Sequence, residues 1–120
     1  MCGVFGYVGA ETDVGEAVLT ALKTLEYRGY DSWGVAVATQ DEMLVEKEPG
    51  RIVATQMNFP QARSGIGHTR WATHGGVTAA NAHPHVDEAK RIAVVHNGII
   101  ENYSVLKAAL IERGHAFASE

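Results

Sequence analysis

Cys2, in the opening Met1-Cys2-Gly3-Val4-Phe5-Gly6, is the single cysteine of 120 residues. Its position gives it a chemistry that an internal cysteine lacks. Methionine aminopeptidases remove an initiator methionine when the next side chain is small, and cysteine is small enough. The residue then carries a thiol and a free α-amine side by side, groups with ordinary pKa values of about 8.5 and about 8. An amine poised near working pH acts as a base, directly or through a water. One residue thus supplies both nucleophile and base, with no separate histidine. Gly3 behind it lets backbone and substrate approach closely. A small buried hydrophobe at the start of a strand looks the same, and position alone does not separate the two readings.

Candidate partners lie further along the chain. Asn97-Gly98 follows the apolar run Arg91–His96. A side-chain amide beside a glycine N–H can hold the oxyanion of an acyl-transfer intermediate, although Asn-Gly is also the commonest hairpin dipeptide. The stretch "GHTRWATHGG" (Gly67–Gly76) gathers Arg70, Trp71, Thr73 and His74. Arg70 can grip a carboxylate through two parallel hydrogen bonds, with Thr73 and His74 adding donors. A surface loop rarely carries a tryptophan between an arginine and a histidine, which favours binding. In "EYRGYDS" (Glu26–Ser32), Arg28 and Asp31 either pair to hold a site or cap a helix end. Six histidines raise a metal reading, His83 and His85 with His68, His74 or His96. Their spacing matches no zinc pattern, and neither a dinucleotide nor a Walker fingerprint is present, so no metal or cofactor is expected.

These residues need a scaffold. A chain of this length is normally one domain and can bury roughly two-thirds of its unfolded surface. Apolar residues make up 46% and charged residues 20%, as in a soluble globular protein. Net charge is −4, with no basic block, which argues against nucleic acid. A lone cysteine, no signal-peptide pattern and no span-length apolar run give the expectation of a cytoplasmic protein without a membrane segment. Cys2–Gly9 reads as a strand. Asp13 and Glu16 read as a capping box opening a helix to about Tyr27, with Val14, Ala17, Val18, Ala21, Leu22 and Leu25 at helical spacing. Trp33–Thr39 and Met43–Glu48 read as a hairpin around Asp41-Glu42. Arg51–Arg63 reads as loop with one short helix, and Ser64–Thr69 as a third strand. The long polar loop Arg70–Glu88 reads as functional. Arg91–His96 reads as a strand, and Tyr103–Arg113 as an amphipathic helix presenting Val105, Leu106, Ala109 and Leu110, with Gly114 past its end. His115–Ala118 reads as the start of another strand.

Taken together, the terminal Cys2-Gly3, "EYRGYDS", "GHTRWATHGG", "NAHPHV" and "VVHNGIIENY" resemble the class II glutamine amidotransferase (glutaminase) family, whose nucleophile is an N-terminal cysteine. Within that family they resemble the branch that aminates fructose 6-phosphate. Purine and amide-forming branches share the Cys-Gly and the Asn-Gly but not usually "RWATHG" with "NAHPH". The resemblance runs from Cys2 to Tyr103. It implies an α+β fold, the α-β-β-α sandwich of two antiparallel sheets found in N-terminal-nucleophile hydrolases. It implies L-glutamine as substrate, Cys2 as nucleophile, and Asn97 with Gly98 as oxyanion hole. Arg28 would support that region. Arg70, Thr73 and His74 would bind the glutamine α-carboxylate, Trp71 would sit on a closing loop, and His83 would lie near the site. Another class II amidotransferase, or a glutamine-binding domain without turnover, are the alternatives. The family continues past "SE" with a Thr-Asp that binds the α-amine. The 120 residues are therefore expected to be part of a longer glutaminase domain. The sugar-isomerase half, the fructose 6-phosphate site and the homo-oligomer contacts would lie outside them. The family commonly reads "YRGYDSAG", whereas Trp33 stands here at the alanine position, so a large ring must be accommodated.

Overall fold

The alternation in Ser64-Gly65-Ile66-Gly67-His68-Thr69-Arg70 organises the molecule, because successive side chains of a strand point to opposite faces. The computed structural model describes residues 1–10, 13–53 and 57–120. Strands β1 (Gly3–Val8), β2 (Ser32–Ala38), β3 (Met43–Pro49) and β4 (Ser64–Arg70) form one antiparallel sheet in the order β1-β4-β2-β3. Helix α1 (Val14–Leu25) covers one face of it. Gly67 faces the helix, and a Cβ there would stand 2.6 Å from Val18 Cγ1, so glycine permits the close approach. Ile66, His68 and Arg70 take the opposite face.

The core lies between α1 and the sheet. Val14, Val18, Leu19 and Leu22 of the helix meet Trp33, Val35 and Val37 of β2, with Phe5, Tyr7 and Leu44 at the margin. Each such apolar side chain contributes about 1.5–3 kcal/mol on burial. Leu19 is buried where the sequence pattern pointed to Ala17 and Leu25, so the helix is turned slightly from the expected face. Trp33 is 1% exposed within this core, which answers the question its size raised, although among the described residues its Nε1 finds no hydrogen-bond partner.

The Asp13–Glu16 capping box does not form. Asp13 makes no side-chain cap, and Glu16 instead accepts the Met57 N–H at 3.0 Å. A carboxylate in the first turn still suits the helix dipole while it anchors the incoming loop. The hairpin is as expected: Thr39 Oγ1 accepts the N–H of Asp41 and of Glu42 at 3.3 and 3.0 Å, and Ala38 pairs with Met43. The loop after β3 carries no regular element in its described part, and residues 54–56 of the short helix expected there lie outside the described residues.

The second antiparallel sheet is a two-residue ladder, β5 (His85–Val86) with β6 (Ala93–Val94). The strand expected over Arg91–His96 is shortened because Asp87 Oδ1 takes the N–H groups of Arg91 and Ile92 at 2.6 and 2.7 Å. Helix α2 (Tyr103–Glu112) buries no residue, so Val105 and Leu106 stay exposed. Gly114, at φ +92°, ends it. His115–Ala118 does not form a strand; the His115 N–H closes on Leu110 O at 3.0 Å and the Ala116 N–H on Glu88 Oε1 at 2.7 Å. Among the described residues, no helix is long and apolar enough to cross a membrane.

Candidate active site

β1 and β4 run antiparallel with Gly3 opposite Thr69, and this places Cys2 beside the end of β4. The Gly3 N–H donates to Thr69 Oγ1 at 3.1 Å, which fixes the backbone immediately after the cysteine. The Trp71 N–H donates to Cys2 Sγ at 3.3 Å. The Cys2 carbonyl accepts from Asn97 Nδ2 at 3.0 Å and from Arg28 Nε at 3.3 Å. Residues 28, 71 and 97 thus meet at one cysteine, Trp71 at its thiol and Arg28 and Asn97 at its carbonyl. Met1 precedes Cys2 here, so the Cys2 nitrogen is a peptide nitrogen, and Met1 itself is 76% exposed.

Arg70, 8% exposed, turns its guanidinium onto the loop that follows it. It donates to Gly76 O at 3.0 Å and to His74 O. Two of its five N–H groups are thereby used to fold residues 71–76. Asp31 supports the same loop by accepting the Ala72 N–H at 2.8 Å. Arg28 and Asp31 therefore do not pair; one holds the cysteine, the other the loop. Trp71, 44% exposed, stands edge-on to Tyr30 with ring centroids 5.5 Å apart. Thr73, His74 and Gly98 are exposed and, among the described residues, no hydrogen bond ties them to Cys2. The His74 ring lies 6.4 Å from that of Tyr103.

His83 does not touch the thiol either. It stacks on His68 at 4.4 Å, and His85 packs edge-on against it at 4.4 Å. The rings meet face and edge, and among the described residues no group of His, Cys, Asp or Glu is arranged to hold a metal ion. Burial brings the His68 imidazole down to about 4 and outweighs the hydrogen bond to Asn97 Oδ1 and a contribution from the His96 backbone, both of which raise it; Arg70 and His85 push it further down. Burial also lowers His83 to about 3, reinforced by the charges that His68, His85 and Arg70 can carry. His85 is lowered by burial and by Lys47 and Arg70.

Sequence reasoning passed over Thr69, His68 in any role but metal ligand, and Asn81. Asn81 Nδ2 donates to Gly76 O at 3.1 Å, and Glu120 Oε2 accepts the Gly76 N–H at 3.0 Å. The period-two pattern of residues 64–70 does place His68 and Arg70 on one face, the signal that could have linked His68 to the site.

A model of the glutamine amidotransferase domain matches residues 50–120. The chain belongs to that family. It is 54% identical to the glutamine–fructose-6-phosphate aminotransferase (isomerizing) of Streptomyces coelicolor, a match covering 100% of this chain and 20% of that protein. The enzyme of the same name from Aquifex aeolicus is 53% identical over 100% of this chain and 21% of its own length. The chain thus spans 20–21% of these curated relatives. Among solved structures, glutamine phosphoribosylpyrophosphate amidotransferase from B. subtilis superposes with a TM-score of 0.75 at 26% identity, over 98% of this chain and 26% of that one. A structure described as the allosteric regulatory enzyme of purine biosynthesis gives 0.79 at 26% identity, with the same coverage. The fold is α+β with antiparallel sheets, as in these amidotransferases.

Proposed function

We propose that this chain carries the glutaminase chemistry of an enzyme that aminates fructose 6-phosphate. The observation that carries the reading is the convergence on Cys2 of Asn97, Arg28 and the Trp71 N–H. After removal of Met1, the Cys2 α-amine takes the thiol proton and the sulfur attacks the side-chain amide carbon of glutamine. The oxyanion that forms is held by the Asn97 amide and the Gly98 N–H. Collapse breaks the C–N bond, the amine's proton goes to the leaving nitrogen, and ammonia departs. Water then adds to the thioester and releases glutamate and the thiol.

In this reading Thr73 and His74 supply donors for the substrate α-carboxylate, and the folding of loop 71–76 by the Arg70 guanidinium supports it. Among the described residues, no hydrogen bond takes the other three N–H groups of Arg70, and they would serve that carboxylate. Transfer of the ammonia to fructose 6-phosphate is proposed from the relatives' names and takes place in sequence outside this chain. Intact mass before and after exposure to a diazoketone analogue of glutamine tests the reading. Loss of Met1 and one adduct on Cys2 is the expected result. An adduct that forms equally on Cys2→Ala, or a retained Met1 with unimpaired glutamine hydrolysis, overturns it.

A further inference from the structure

The proposed reaction uses no imidazole as acid or base, yet one is buried at its centre. His68 is 1% exposed and lies on the site face of β4. Its Nε2 stands 2.8 Å from Asn97 Oδ1, and Asn97 Nδ2 stands 3.0 Å from the Cys2 carbonyl. An asparagine amide fits the same space turned over, with donor and acceptor exchanged. Only one of the two orientations presents N–H groups towards Cys2, so something must choose between them.

A neutral imidazole donates from one nitrogen and accepts at the other. Among the described residues, His68 Nδ1 is buried with no partner at hydrogen-bond geometry, and the His96 backbone acts on the ring only as the weakest of the influences on it. A proton left there would be an unmade donor, which is costlier than an unused lone pair. The proton therefore belongs on Nε2, where it meets Asn97 Oδ1. Burial keeps the ring neutral at ordinary pH, so this choice is made with a single proton.

The ring itself is held by a strap. His83 stacks on it, and the His83 carbonyl lies over Gly34, the partner of His68 in the β2–β4 ladder. Lys47, opposite Gly34 on β3, donates from Nζ to Ala82 O at 2.9 Å and ties the strap to the sheet edge.

We propose that His68 is a positioning residue whose Nε2–H sets the amide orientation of Asn97 and so aims the oxyanion donor at Cys2. This inference rests on the glutaminase reading for its consequence in turnover, but its geometry can be tested apart from it.

Two measurements on the full chain decide it. Long-range ¹H–¹⁵N correlation of the unsubstituted protein at neutral pH should find His68 as the Nε2–H tautomer; an Nδ1–H tautomer overturns the proposal. His68→Leu should lower kcat for glutamine hydrolysis by about 100-fold while KM changes less than about threefold. His68→Gln, whose amide can donate to the same oxygen, should recover at least about tenfold of that loss. Parent-level kcat in His68→Leu, or a His68→Gln no better than His68→Leu, also overturns it. If His68→Leu does not fold, the tautomer decides alone. Absence of Cys2-dependent glutamine hydrolysis in the unsubstituted protein would instead sink the glutaminase reading and leave the tautomer result standing.

Discussion

The two faces of the four-stranded sheet are built for different work. The face under α1 is dry and apolar, with Trp33, Val35 and Val37 closed against Val14, Val18 and Leu22. The opposite face carries Cys2 at its margin, His68, Arg70 and the Lys47 hook, and it is covered by loops. Neighbours in sequence therefore serve opposite ends: Gly67 makes room for a helix and His68 holds a polar side chain. A strand's period of two lets seven residues carry stability and chemistry at once, with little cost of one to the other. The polar face is affordable because the other face supplies the burial.

That division can be broken by experiment. Cys2→Ala should remove glutamine hydrolysis by at least about a thousandfold while the melting temperature stays close to the parent's. Comparable turnover would show that the chemistry lies elsewhere. Arg70→Ala should weaken glutamine binding by roughly 2–5 kcal/mol, since it removes a buried charge and the loop it folds. The readout is glutamine affinity, with limited proteolysis of residues 71–76 as the check on the loop; unchanged affinity would take Arg70 out of the site.

On the other face the effect should fall on stability. Leu22→Ala should cost about 2–5 kcal/mol in denaturant unfolding, with kcat per folded molecule unchanged. Leu106→Ala on α2, where no residue is buried, should cost less than about 0.5 kcal/mol.

The smallest effect is with pH. His68 is lowered from 6.5 to about 4 and His83 from 6.5 to about 3, so the unfolded chain binds protons that the folded one refuses. Their neutral stack contributes stability fully present above pH 6.5 and lost as pH falls towards those values. The melting temperature should decline over that window, and substituting His83 should flatten the decline.

The half of the fold that carries its own core was legible in the sequence. The strand-length runs at residues 33–39 and 64–69 and the helical spacing from Val14 gave β2, β4 and α1, because a short run and a helical period are written locally in the chain. The region from Asp87 onward was less so. Asp87 diverts two N–H groups from the ladder, and α2 keeps its apolar side chains exposed, facts that hydropathy does not carry. Cys2, Asn97 and Arg28 stood out by residue type, and the structure brings them together. His68 did not, since its partner Asn97 is 29 residues away on a loop outside the sheet, and only the folded chain makes them neighbours.

The absence of a side chain at position 34 has reach beyond its own strand. A Cβ on Gly34 would stand 2.3 Å from the His83 carbonyl, far inside contact distance. Relieving that overlap means lifting the strap, and the strap bears on His68, which in turn steers Asn97. One added methyl, apolar and distant from the thiol, would be transmitted through two rings and an amide to the atom on which charge develops. Position 34 is thus a mechanical input to turnover that no inventory of polar residues would include.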